Sequence, residues 1–512
     1  MRIPKGRNIL EYLREQDQRI PAPCNGKGTC GKCKVLIKDS TVLPLEEQLL
    51  SKKEVQDFVR LACLRRVKED TEIELLLQED HASKDAFYKK PNIHQPYLRL
   101  KKENDHYDIF RNKVKIKESK HKEAYGLAID IGTTTIAFAL EDLTNGEILD
   151  YTSFSNPQTA YGSDVISRID YAKSKEHLHK LSNLIRTKVD EQVKSFLQKN
   201  SIKDSTLYEV VIAANTTMVY LLLEKDPSPL AKAPYKADLL DRIETDYPTL
   251  FSNHYQATVT IYEGLDAYIG GDIVSGIVSE QLERKKDYHM LIDLGTNGEI
   301  VLINENHLYA SATALGPAFE GVNITCGLGA VKGAIDHFRY PDQCYTIEDK
   351  EPIGLCGSGL IDLVHELVKN QFIDQTGRLK ETFYLTDEVF LNQKDVRQIQ
   401  LAKAALKAGI EHLALDADVS LKDIKTLYIA GGFGQYTNPD HLIAIGMIPS
   451  AFKGKIEILG NASLNGALHY LSSPIRTSFF TKHKIHIRTL TTPLFQELFV
   501  KNMHFPTKKQ AN

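Results

Sequence analysis

Four cysteines crowd the start of this chain, at Cys24, Cys30, Cys33 and Cys63, while Cys326, Cys344 and Cys356 are scattered far downstream without ligand spacing. Three thiolates from one tight loop, with a fourth from a separate element, can wrap a small metal cluster. The order Cys24-x5-Cys30-x2-Cys33 and then a remote cysteine differs by one residue from the plant-type [2Fe–2S] pattern. Gly26, Gly28 and Gly31 permit the sharp turns that aim backbone N–H groups at sulfur and tune a potential. Zinc on the same four thiolates is the alternative. Zinc ribbons use two well-separated CxxC knuckles, and only Cys30–Cys33 forms one here.

A second chemistry rests on carboxylates. Ala128-Ile-Asp-Ile-Gly-Thr-Thr-Thr135 is echoed by Leu291-Ile-Asp-Leu-Gly-Thr-Asn-Gly298. In each, an apolar strand delivers an Asp at its end, a glycine allows a tight hairpin, and N–H and hydroxyl groups point into the turn. That is a way to hold phosphate, and two copies suggest two lobes clamping it from opposite sides. Ile269-Gly-Gly-Asp272 opens a helix between them, and Leu427-Tyr-Ile-Ala-Gly-Gly-Phe-Gly434 runs an apolar strand into a glycine turn suited to a flat base or ribose. Leu459 to Ala467 is a helix start rich in small residues, suited to close packing between lobes.

The elements that must position these groups follow from periodicity. Residues 6–17 read as an amphipathic helix, 34–38 as a strand, 45–60 as helical with Leu49, Leu50 and Phe58 as core contacts, and 72–77 as a strand. Residues 81–123 are rich in Lys, His, Asp and Asn and read as a solvated tether with one or two short strands. From Tyr125 onward, strands, Gly/Thr turns and amphipathic helices alternate as in a large α/β unit. At 512 residues the chain exceeds one core. A formal charge of −3 gives no footprint for nucleic acid or an anionic membrane. No apolar run could span a bilayer, and Met1 to Lys5 has no signal-peptide character, so the cytoplasm is expected.

The cysteine loop resembles [2Fe–2S] ferredoxins of the adrenodoxin and bacterial kind, in which Arg60-Leu-Ala-Cys63 is a common presentation of the last ligand. The downstream segments, in order, resemble the ASKHA superfamily of acetate and sugar kinases, heat-shock chaperones and actin. Asp130–Thr135 and Asp293–Gly298 match its two phosphate motifs, Asp272 its first connecting acid, Ala430–Gly434 its adenosine motif and Gly460–Ala467 its second connecting helix. The fold implied is α/β: a small α+β ferredoxin-like (β-grasp) domain over 1–80, a linker over 81–123, and a two-lobed actin-like ATPase domain over 124–512 with its lobes meeting near residue 289. The resemblance implies ATP and Mg²⁺, with Asp130 and Asp293 positioning the ion through water and Asp272 orienting or deprotonating the attacking water. Gly132, Thr133, Thr134, Thr135, Gly295, Thr296, Asn297, Gly298, Gly431, Gly432 and Phe433 would contact the nucleotide.

Taken whole, the chain resembles the reductive activators of corrinoid proteins. Asn156-Pro-Gln158 with Tyr161 to Arg168, Ala214 to Met218, Gly316 to Gly321, Cys356 to Asp362, Gly431 to Tyr436 and Asn461 to Ser463 carry the match. Most of these segments have no chemical role assignable from sequence. The family resemblance implies ATP-dependent transfer of one electron from a [2Fe–2S] cluster, reducing the Co(II) of a corrinoid protein in a methyltransferase system to Co(I). A low-potential donor would feed the cluster. Longer members carry an extra domain that helps some of them dimerise; residues 81–123 leave no room for it, and a homodimer stays an open option. Competing readings are an ASKHA-type small-molecule kinase, an ATP-dependent activator of another redox enzyme, and an actin-like scaffold, against which the three aspartates stand.

Overall fold

Alternation of apolar and polar side chains makes the first unit a four-stranded sheet of Arg2–Ile3, Thr71–Leu75, Lys34–Ile37 and Val59–Leu61, in that spatial order. The computed structural model describes residues 1–76, 98–432 and 437–506, apart from 17, 19, 21, 23, 29, 51, 112, 113, 163, 296, 322, 473–479 and 481. The helix Ile9–Glu15 is capped by Asn8, whose side chain accepts from Glu11 N, and buries Ile9, Leu10 and Leu13 against the sheet. Residues 45–60 do not form one helix. They divide into Pro44–Leu49 and Lys52–Gln56 before the strand at Val59. Phe58 is not a core residue: it turns at φ 59° and leaves its ring 43% exposed beside the Arg60 guanidinium.

Residues 98–119 are three antiparallel strands, Leu98–Glu103, His106–Arg111 and Val114–Ser119, where the composition promised a tether with one or two. Charged side chains dominate the count, yet Leu98 and Ile109 are buried in a core shared with Ala128 and Ala139. A few inward apolar residues suffice to dock a meander. The tether reading for 81–97 lies outside the described residues.

The remainder is built twice. One six-stranded sheet runs Glu147–Ser155, Thr135–Asp142, Tyr125–Ile131, Leu207–Ala214, Thr258–Ile261, Ile243–Asp246; the other runs His307–Thr313, Gly298–Ile303, His289–Leu294, Leu427–Ala430, Ile456–Gly460, with Lys484–Arg488 beyond His307–Thr313. In both, an antiparallel meander of three strands is followed by two parallel neighbours. Near-continuous apolar runs such as Leu207–Ala214, buried at every position, fit strands covered on both faces.

Between the sheets, the Gly271–Ser279 helix crosses the Ala462–Ser472 helix at very short range. A Cβ on Gly466 would lie 1.9 Å from Ser275 O, and Ser275 Oγ donates to Ser463 O at 2.7 Å. Only glycine tolerates that approach. Among the described residues, no helix is long and apolar enough to cross a membrane.

Candidate functional site

The cysteine loop is shaped by left-handed residues: Asn25 at φ 50° is followed by Gly26, Gly28 and Gly31, all at positive φ. A Cβ on Gly31 would lie 3.1 Å from Leu49 O, so a side chain there would press on Leu49 as well as strain the backbone. Arg60, 1% exposed, donates to the carbonyls of Asp39, Thr41, Val55 and Val59 and so fixes the strand that leads to Cys63. Asn8 Nδ2 donates to Cys63 O at 2.9 Å.

The four predicted thiols come together in two pairs. Cys30 Sγ lies 3.4 Å from Cys24 Sγ, and Cys63 N donates to Cys33 Sγ at 3.5 Å, with the free Cys33 and Cys63 thiols also hydrogen-bonded to each other. The Cys24 hydrogen bond, and then burial, push the Cys30 thiol well above its ordinary pKa. Two pairs of thiolates suit a two-iron cluster, which takes two on each iron. Cys326 lies near Lys32 of this loop, its Sγ donating to Glu388 O at 3.6 Å, and Cys356 Sγ donates to Ile335 O at 3.3 Å.

The second constellation forms where the repeated sheets face one another. Asp130 ends the Tyr125–Ile131 strand, Asp293 lies near the end of His289–Leu294, and Asp272 sits in the first turn of its helix. All three are partly exposed yet closely surrounded by protein. That packing raises Asp130 to about 6, and raises Asp293 to about 7 with help from the charge of Asp130. Desolvation, then Asp293 and Asp130, bring Asp272 to about 8. Carboxyls held this close without a cation resist ionising together.

The turns behave as hairpins. Gly132 N donates to Thr135 O at 2.9 Å, and Gly295 N donates to Asn297 O at 3.0 Å. Thr133 Oγ1 accepts from Asn215 Nδ2 at 3.0 Å. Gly431, at φ 94°, would press a Cβ to 2.5 Å from Leu294 O and 2.8 Å from Asp293 Oδ1, so the glycine turn abuts the second carboxylate loop. Gly432 has open space on its Cβ side. Thr296 and Phe433 lie outside the described residues.

Several groups at this site escaped the sequence reading. Glu299 is paired in register with Asp293 and is pushed well above its usual pKa by desolvation, then by Asp293 and Asp272. The hairpin length alone places residue 299 opposite 293, so that signal was available. Asp130 is held by Asn461 Nδ2 (2.9 Å) and Ser463 Oγ (2.8 Å), from the start of the distant helix. Thr134 Oγ1 lies 3.5 Å from Glu320 Oε2, in the Gly316–Gly321 segment. Elsewhere in the second half of the chain, Asp362 accepts from His337 Nδ1 (2.9 Å) and His441 Nδ1 (2.6 Å), beside a cavity of about 560 Å³, and ties the Cys356 segment to residue 441. Chemically, the cleft offers clustered carboxylates for a divalent cation and hydroxyl and amide donors for phosphate.

Three regions of the chain match known families. Residues 1–68 match the 2Fe-2S iron-sulfur cluster binding domain, 125–285 the RACo middle region, and 287–512 the C-terminal domain of RACo, the ASKHA domain. Corrinoid activation enzyme RamQ of Eubacterium limosum is 32% identical over 423 residues, spanning 75% of this chain and 71% of the relative. The [Co(II) methylated amine-specific corrinoid protein] reductase of Methanosarcina barkeri is 22% identical over 378 residues, or 66% of this chain and 68% of its own. A solved structure, a reductive activator for a corrinoid, iron-sulfur protein, aligns with TM-score 0.71 and 26% identity over 98% of this chain and 96% of that one.

Proposed function

The chain belongs to the reductive activators of corrinoid proteins, and from that premise we propose that it uses ATP to drive one electron onto the cobalt of a corrinoid protein, taking Co(II) to Co(I). The observation that supports this reading is the presence, in one chain, of two thiol pairs and of a cleft where repeated hairpins face a set of carboxyls. A [2Fe–2S] cluster on Cys24, Cys30, Cys33 and Cys63 would supply the low-potential electron.

The residues of the cleft account for the nucleotide half. Asp130, fixed by Asn461 and Ser463, and Asp293 would take Mg²⁺ once ionised, and Glu299 would steady the same ion's water. Thr133, Thr134 and Asn297 offer donors to phosphate oxygens, and the open side of Gly432 leaves room for the nucleoside. Asp272, with its pKa near 8 in the cation-free cleft, is suited to orient or accept a proton from water at near-neutral pH. Catalysis is then positioning and charge neutralisation around a loose phosphoryl transition state.

Coupling has a thermodynamic reason. Each 59 mV of uphill gap costs a one-electron step about 1.4 kcal/mol, so a few hundred millivolts cost roughly 5–7 kcal/mol. Nucleotide binding and hydrolysis can offset that by changing which conformation of the complex is stable. The partners would be a corrinoid protein of a methyltransferase system and a low-potential donor, in the cytoplasm. The test mixes anaerobic protein with a Co(II) corrinoid protein and reductant, with and without ATP. A Co(I) absorption band that needs ATP supports the reading; a band of equal size without ATP removes the coupling.

A further inference from the structure

The segment from Asn156 to Arg168 takes no part in the chemistry above, yet it touches both constellations. On one side it carries the first phosphate hairpin. Asn156 Nδ2 donates to Gly132 O (2.8 Å), Asn156 N donates to Thr134 O (2.7 Å), and the buried Arg168 guanidinium donates to Thr133 O and, at 3.1 Å, to Gln158 Oε1. On the other side, four residues along the short turn Pro157–Ala160, Ala160 O accepts from Arg14 Nη2 at 2.7 Å. Arg14 is on the helix beneath the cysteine loop, and its Nη1 donates to Asn25 Oδ1 at 3.0 Å, next to Cys24.

We propose that Arg14 and the 156–168 segment form a relay, in which Arg14 is a positioning residue that seats the cysteine loop according to what the first phosphate hairpin holds. The inference rests on the cluster and nucleotide reading given above. The contact has the character of a latch that can release. Arg14 is half-buried over the rings of Tyr161 and Tyr171 (5.3 and 6.0 Å); among the described residues its Nε has no hydrogen-bond partner, and its other nitrogens donate to a carbonyl and an amide. A cation desolvated without a carboxylate is held weakly. Lys180 Nζ reinforces it by donating to Arg14 O at 3.0 Å while lying over Tyr161. From the opposite lobe, Gly327 O accepts from Lys32 Nζ (3.2 Å), a residue between Cys30 and Cys33. The cysteine loop thus rests on both lobes, and a change in their separation must strain or release one of these contacts.

Coupling between two sites is reciprocal. If nucleotide alters the seating of the cluster, the oxidation state of the cluster must alter nucleotide affinity by the same factor. The experiment uses the full anaerobic chain carrying its cluster. The Kd for magnesium with the non-hydrolysable analogue AMPPNP is measured in the oxidised and dithionite-reduced protein, and the midpoint potential is followed by EPR with and without the analogue. We expect a ratio of Kd values of about tenfold, which is about 59 mV in a one-electron potential. Arg14→Ala should bring the ratio below twofold while the cluster spectrum and analogue binding persist. Lys180→Ala, which removes the reinforcement from the other side of the contact, should lower it in the same direction. Equal Kd values in the two oxidation states of the unaltered chain, with cluster and analogue both bound, overturn the relay alone. So does a full ratio in both variants. A chain that takes up no cluster or no nucleotide overturns the reading beneath it, and the relay with it.

Discussion

Gly466 and Gly276 lie at the same helix crossing and should respond to alanine in opposite ways. A Cβ on Gly466 meets Ser275 O at 1.9 Å and Ser275 Oγ at 2.3 Å, so the two helices must part by roughly 1.5 Å to restore ordinary contact. Overpacking of that kind costs about 1–3 kcal/mol, which in a domain of this size corresponds to roughly 2–6 °C in Tm. The larger effect is on function. Asp272 starts one of these helices, and Asn461 and Ser463, which hold Asp130, start the other, so parting them separates the carboxyls of the cleft. A displacement of about 1 Å in a positioned site can cost on the order of 10² in rate. On Gly276, by contrast, the new Cβ would sit 3.4 Å from Leu291 Cδ2 and 3.5 Å from Ala462 Cβ, which is normal packing. Gly276→Ala gains helix propensity of about 1 kcal/mol. Steady-state ATP turnover and thermal unfolding of both variants, with cluster absorbance as the control, decide the matter. Turnover in Gly466→Ala within twofold of the unaltered protein would refute the claim that this crossing sets the cleft.

Cys30→Ser should abolish the visible absorbance and EPR signal of the reconstituted cluster and with them Co(I) formation, while the chain still binds nucleotide, with an affinity shifted by no more than the roughly tenfold coupling to the cluster. Asp293→Asn should lower ATP turnover by on the order of 10²–10³ with an unchanged cluster spectrum. Asp130, Asp272 and Asp293 have folded-state pKa values of about 6, 8 and 7, above the ordinary carboxylate range. The folded chain therefore binds more protons than the unfolded one between roughly pH 4 and 8, and this contribution makes the cation-free protein lose stability as pH rises through that window. Thermal unfolding from pH 5.5 to 8.5 should show a Mg²⁺–nucleotide increment that grows with pH. Calorimetry in two buffers of different ionisation enthalpy should show protons released on binding near pH 6.5.

The parts of the site that were legible in the sequence are those specified locally. Cysteine spacing, a strand ending in Asp-x-Gly-Thr, and a helix start packed with Gly, Ala and Ser each declare a backbone shape within a few residues. The partners of Asp130 do not, because Asn461 and Ser463 are more than 300 residues away and only the pairing of two lobes brings them in. The meander at 98–119 was obscured by its own charges: lysines on the outward positions hide the few inward ones, Leu98 and Ile109, that dock it. Phe58 misled because a helix over 45–60 would turn it inward with Leu49 and Leu50, whereas the chain breaks there and a left-handed turn expels it. Arg14 offered no signal at all, since an arginine late in a short helix is ordinary and its significance lies in Ala160, 146 residues on.

The doubled architecture also governs the order in which a ribosome can finish the clamp. Residues 125–261 can pair their own strands as they emerge, presenting one acidic hairpin with no counterpart. The opposing hairpin follows, but the hydroxyl and amide that steady the first acid belong to residues 461 and 463. A nascent chain therefore cannot fix its first acid until its late helix has packed between the lobes, long after the cysteine loop has left the tunnel.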